Sequence, residues 1–267
     1  KQNLNFLYDK PNVISFLSIP TQHLQSALTS YSEDLSIINP TIVIEKPHGN
    51  SYKNFQDICK FLETKKFDFI FNDHYLFKEN ILFLETIKIN FNKIKTIKIV
   101  INENECINKR IDYFDNVGIL LDMYQSHVLM LFVKLLSQIY PTTHDYEILQ
   151  NLSKTHFEIQ ERGKYYGYHG KQDTFITLKL KYKDIFLECD LAKNVEYTNK
   201  NIYLFDEKKI LIDTLSLDDE SYGTMIRYLK YDCSEYFLNS NQINYLWKHM
   251  EYNCQFNTNN FTESCIL

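Results

Sequence analysis

The feature that most constrains this sequence is an alternation in its opening part. "VISFLSIP" (Val13 to Pro20) is a short β-branched and aromatic run closed by proline, and "TQHLQSALTSYSEDL" follows with helical spacing. "TIVIEKP" (Thr41 to Pro47) is a second apolar run. "HGNSYKNFQDICKFLETKK" then reads as a helix opened by Asn50 and Ser51, and "FDFIFND" as a third strand. Strand, helix, strand, helix, strand predicts a parallel α/β sheet, with functional residues where the strands end.

After Lys78 the pattern changes. "IKTIKIVINENE" alternates apolar and polar residues, as a half-buried strand does, and a long helix is expected from about Val117 to Tyr140. "TFITLKLKYKDIFLECDL" and "NIYLFDEKKILIDTL" alternate in the same way, before helical "ESYGTMIRYLKYDCSEYF" and "NQINYLWKHMEY". The expected fold class is therefore a parallel α/β unit over residues 1–75. An α+β domain, residues 76–267, would follow, with a large, mainly antiparallel sheet covered by helices.

Composition narrows the function. The formal net charge is −5, and no basic stripe interleaves with aromatics, which argues against nucleic-acid binding. Six scattered cysteines, with no C-x-x-C pair and no zinc spacing, read as free thiols of a reducing, cytoplasmic compartment and give no metal site. The apolar stretch "VGILLDMYQSHVLMLFVKLLSQIY" is interrupted by Asp122, His127 and Lys134, so it is expected to be a buried helix rather than a membrane span. The sequons at Asn151 and Asn260 read as chance matches in an Asn-rich chain.

Three stretches carry chemistry. In "FNDHYLFKE" a helix opening at Asp73 or His74 would set His74 and Lys78 four apart on one face, beside Tyr75. Cationic side chains and free helix N–H groups would then favour the same anion, such as a phosphate; the plainer alternative is a capping Asp73 followed by a solvated Lys78. In "LLDMYQSHVLM", Asp122 and His127 sit in an apolar helix and need polar partners. His127 is either a hydrogen-bonded core histidine or a general base, and Asp73 is a candidate to orient it. In "IEKPHG", Lys46 follows a buried strand and points into whatever cleft lies there.

Together these stretches resemble the glucose-6-phosphate dehydrogenase family. There a strand ending E-K-P-F-G is followed by I-D-H-Y-L-G-K-E and then Y-F-D-E-F-G-I-I-R-D-x-x-Q-N-H; here the order is "IEKPHG", "NDHYLFKE" and "YFDNVGILLDMYQSH". "VISFLSIP" is similar to the family's Y-L-A-L-P-P strand, and the C-terminal helices to its A-Y-E-R-L-I-L-D and E-x-W-x-I segments. The resemblance implies NADP-dependent oxidation of glucose 6-phosphate to the lactone, the first step of the oxidative pentose phosphate pathway, in a cytoplasmic homodimer or homotetramer. His127 would be the base and Asp73 its orienting partner. His74, Tyr75 and Lys78 would bind the substrate phosphate, Lys46 both substrate and coenzyme, and Glu103 and Asp122 the sugar hydroxyls. Lys193 would stand in for a second phosphate lysine, and Pro20 would border the coenzyme. Residues 1–75 would be the C-terminal portion of a Rossmann-type coenzyme domain, and residues 76–267 the substrate-binding and dimerisation domain.

The sequence also departs from the family. Phe77 replaces a glycine, Ser126 an asparagine, Leu121 an arginine, and His48 a phenylalanine. The first glycine is Gly49, so no glycine-rich phosphate turn follows the first strand. The chain starts at Lys1 and reads as a fragment or processed product, with that turn either upstream or lost. These departures leave a second expectation: a homologue that binds a sugar phosphate, or assists an assembly, without turnover.

Overall fold

The computed structural model describes residues 14–32, 41–107, 110–231 and 233–256. Val13, Cys265 and the Asn260 sequon lie outside the described residues.

The alternation at the start builds a three-stranded parallel sheet. β1 (Ile14–Leu17) is followed by α1 (Thr21–Ser32), β2 (Thr41–Glu45), α2 (Tyr52–Thr64) and β3 (Asp68–Asn72), with strand order β1-β2-β3. β2 is the central strand, which explains its continuous run of buried Ile42, Val43 and Ile44. Ser51 caps α2 by accepting Asn54 N–H at 3.1 Å, and α2 buries Phe55, Ile58 and Leu62 on one stripe. Register pairs Glu45 with Asn72, so the carboxyl ends of β2 and β3 deliver Glu45, Lys46 and Asp73 to one edge.

The second sheet has six strands: β4 (Thr96–Glu103), β5 (Phe157–Gly163), β6 (Phe175–Tyr182), β7 (Ile185–Lys193), β8 (Asn199–Phe205) and β9 (Leu211–Ser216). Their order is β5-β6-β7-β4-β8-β9, and every neighbouring pair is antiparallel except β4 with β7. That parallel pair sets Glu103 directly beside Lys193.

Between the sheets lies the helical run, and here the expectation is corrected. Helix begins at Ile111 as α3 (Ile111–Ile119), with Gly118 at φ 68° and ψ 168°, a conformation that costs a residue with a Cβ far more than glycine. A π-helix (Leu120–Val128) follows, and then α4 (Leu129–Ile139). The run is long and apolar enough to cross a membrane, yet 89% of its apolar window is buried inside the molecule. α5 (Asp145–Leu152), α6 (Tyr222–Lys230) and α7 (Ser240–Phe256) complete the cover.

α7 returns to the first sheet. Trp247 donates its indole N–H to His48 O at 3.0 Å, Tyr52 donates to Asn244 Oδ1 at 2.6 Å, and Phe71 exchanges backbone hydrogen bonds with Leu238. The two sheets therefore share one continuous core.

Candidate active site

The site lies where the carboxyl ends of β2 and β3 meet the π-helix. Asp73 leaves β3 with extended backbone, and its Oδ1 accepts Tyr75 N–H at 3.0 Å. The helix expected after it is a 3-10 turn (His74–Phe77) that breaks at Lys78, whose φ and ψ of −66° and 137° are extended. His74 and Lys78 therefore do not share a helical face. The turn's amino end holds the Asp73 carboxylate, so the backbone N–H groups expected to face an anion are not all free.

The same Oδ1 of Asp73 meets His127 Nδ1 at 2.6 Å, across 54 residues of sequence. Both side chains are buried, and Asp73 Oδ2 has no hydrogen-bond partner. Burial pushes the Asp73 carboxyl up to about 7, against the charge of His74 and the Tyr75 N–H. Burial also holds the His127 imidazole well below its usual range, reinforced by the nearby charges of Lys46 and His74. A neutral imidazole so placed donates its Nδ1–H to Asp73, which leaves the Nε2 lone pair for a substrate. The ring stacks on Tyr75 at 4.2 Å and meets His74 edge-on at 5.0 Å.

The π-helix explains how Asp122 and His127 serve one site. Residues five apart are roughly 140° apart around an α-helix, but i→i+5 bonding returns them to nearly the same side. Asp122 anchors an alternating chain of charges: Lys46 Nζ donates to its Oδ1 at 2.7 Å, and Lys193 Nζ to its Oδ2 at 3.0 Å. Lys193 also reaches Glu103 Oε2 at 2.5 Å, and Lys200 reaches Glu103 Oε1 at 3.0 Å. Burial opposes the charges of Lys46, Glu103, Asp122 and Lys193, yet the ion partners outweigh it. Glu103 is held down at about 2, Asp122 lower still, and Lys46 and Lys193 above the ordinary lysine range.

The placements divide the expected residues into groups. Asp73, His74, Tyr75, His127, Lys46 and Asp122 converge. Glu103 and Lys193 join through the ion chain, where Lys193 faces two carboxylates rather than open space. Lys78 lies 5.6 Å from the Tyr75 ring, and its ammonium donates to Asp219 O. Pro20 is exposed ahead of α1 and, among the described residues, contributes only its carbonyl to His23 N–H. His48, where the family has phenylalanine, donates to Asn72 O at 3.0 Å and is a core residue; burial lowers its pKa.

Sequence reasoning missed four residues. Glu45 accepts Asn72 Nδ2 at 2.6 Å and lies 3.5 Å from His74 Nδ1; its place beside Lys46 at a strand end was the available signal. Lys200 and Asp219 gave none. Tyr222 stacks on His74 at 4.9 Å, a contact across 148 residues. Asp73, His74 and His127 also bring potential metal-ligand atoms within 4.8 Å of one another, a grouping invisible in their spacing.

Comparison with known proteins gives this geometry a lineage. A family signature described as "Glucose-6-phosphate dehydrogenase, C-terminal domain" matches residues 76–151. The chain is 33% identical over 142 residues to a bifunctional glucose-6-phosphate 1-dehydrogenase/6-phosphogluconolactonase of Plasmodium falciparum, covering 48% of this chain and 16% of that protein. It is 32% identical over 143 residues to a glucose-6-phosphate 1-dehydrogenase of Buchnera aphidicola, covering 48% and 29%. The similarity to glucose-6-phosphate dehydrogenases thus spans about half of this chain. Among solved structures, glucose-6-phosphate dehydrogenase in complex with its substrate superposes with a TM-score of 0.64 at 16% identity, over 89% of this chain and 67% of that one. A putative myo-inositol dehydrogenase from Sinorhizobium meliloti shares the fold at a TM-score of 0.60 and 10% identity, over 91% and 76%. The chain thus corresponds to under a third of the length of these two sequence relatives.

Proposed function

We propose that this chain is the substrate-binding and oligomerising part of an NADP-dependent glucose-6-phosphate dehydrogenase, acting in the cytoplasm at the first step of the oxidative pentose phosphate pathway. Residues 1–75 would form the end of its coenzyme domain, and 76–267 its substrate domain, assembled as a homodimer or homotetramer. The observation that carries this reading is the 2.6 Å contact of Asp73 Oδ1 with His127 Nδ1 in a buried setting.

His127 Nε2 accepts the C1 hydroxyl proton of the sugar, while Asp73 fixes the tautomer and stabilises the imidazolium that forms. The coenzyme supplies the hydride acceptor when bound. This chain offers it only an edge: Lys46 at the end of β2 and exposed Pro20 after β1, with no glycine before Gly49 to cradle its phosphates. The residues present fit a coenzyme border rather than a complete coenzyme site. Lys46 and Asp122 bind each other now and would exchange that contact for sugar hydroxyls. His74, Tyr75 and Lys78 line the end that takes the phosphate, and Tyr75's buried hydroxyl, without a hydrogen-bond partner, is left for it.

The test is NADPH formation from glucose 6-phosphate by the full-length protein, beside His127→Asn. The substitution is expected to lower kcat about 10³-fold. Unchanged turnover would remove the base assignment. Sugar-phosphate binding with no turnover in the wild type would favour the non-catalytic homologue instead.

A further inference from the structure

The phosphate end holds an anionic group of the chain itself. Lys78 is buried, and its ammonium donates to the backbone carbonyl of Asp219. The next N–H, of Glu79, donates to Asp219 Oδ2 at 2.8 Å, and Asn80 Nδ2 donates to Ser216 O at 2.9 Å. The segment joining β9 to α6 is thereby fastened along residues 78–80. It carries three successive acids, Asp218, Asp219 and Glu220, and Lys78 feels the charge of each as well as that of Lys200.

The fastening has an anchor. Glu220 Oε1 accepts Tyr222 N–H at 2.9 Å, while the Tyr222 ring stacks on His74. Phe77 packs against Tyr228 of α6 at 5.8 Å and against Phe237 at 4.7 Å. A glycine at position 77 would offer no ring for these contacts. The residue that departs from the family motif therefore ties the helix behind the acidic segment to the turn that bears His74 and Tyr75.

We propose that Asp219 sets the phosphate affinity of the sugar-phosphate site: its carboxylate and carbonyl occupy the Glu79 N–H and the Lys78 ammonium, and an incoming phosphate must displace both. This inference rests on the proposed function. Charge-assisted hydrogen bonds of this kind compete directly with those of a phosphate, and the flanking carboxylates repel a dianion approaching the same lysine. A bare phosphate gains only the Lys78 end. A sugar phosphate also gains the contacts offered by Lys46, Asp122 and His127, which offset a displacement cost that the bare anion must meet from the Lys78 end alone.

The experiment compares full-length wild type, Asp219→Ala and Asp219→Asn by titration with inorganic phosphate and with glucose 6-phosphate, alongside amide hydrogen exchange at Glu79 without ligand. Asp219→Ala is expected to bind inorganic phosphate roughly tenfold tighter and to exchange the Glu79 amide faster, with Asp219→Asn between. The gain for glucose 6-phosphate should be of similar size, because its phosphate displaces the same Asp219 contacts. An inorganic-phosphate affinity unchanged in Asp219→Ala overturns the inference. Tighter phosphate binding in the variant, with glucose 6-phosphate bound no better than inorganic phosphate by either protein, supports displacement by Asp219 but overturns the reading of the substrate.

Discussion

The two ends of the site are built differently. At the base end, Asp73, Tyr75 and His127 are buried, set by the end of β3 and by the π-helix, and bonded to one another at a short distance. At the phosphate end, Lys78 meets Asp219 of the segment between β9 and α6, and His74 meets Tyr222 at the start of α6. The first end is preorganised, because its partners lie in regular elements locked by the core. The second is held by a connecting segment, whose contacts can be exchanged at lower cost. Rate should depend on the first end and affinity on the second.

Asp73→Asn tests the base end while leaving the base itself in place. An amide beside Nδ1 no longer stabilises the imidazolium, and kcat should fall about 10²-fold with KM for the sugar phosphate nearly kept. A large KM change in steady-state kinetics with kcat intact would merge the two ends. Lys78→Ala should do the opposite, raising KM about tenfold while kcat changes little.

The ion chain from Lys46 to Lys200 makes a pH prediction. Glu103 is held at about 2, below its ordinary 4.5, because Lys193 and Lys200 outweigh its burial. A lowered folded-state pKa contributes stability present above pH 4.5 and lost as pH falls towards about 2. Thermal melts should show that loss, on the order of 2 kcal/mol, and Glu103→Gln should flatten it. The smallest effect is expected from Tyr75→Phe. Its hydroxyl has no hydrogen-bond partner, so urea unfolding should shift by less than about 0.5 kcal/mol while sugar-phosphate binding weakens.

Much of the fold was legible because it is periodic. The strand–helix alternation up to Asn72 and the alternating strands β4 and β6 to β9 are local patterns, and burial follows them, whereas β5 was not expected. The pairing of Asp73 with His127 was suggested by chemistry and by family resemblance, since 54 residues separate them. The helical face expected for His74 and Lys78 was wrong, because a 3-10 turn and a break at Lys78 replace the α-helix there. Nothing in "LLDMYQSHV" signals π geometry, although that geometry sets Asp122 and His127 towards one site.

By itself the sequence determined where most strands and helices lie, which of their faces are buried and which residue types stand at the strand ends, because these depend on neighbours in the chain. Tertiary structure alone decided the partners. Lys78 meets Asp219 across 141 residues, Tyr222 meets His74 across 148, and Lys193 meets Glu103 across 90. Such contacts depend on how separately formed elements pack, and electrostatics at those meeting points sets protonation only after packing has removed the water.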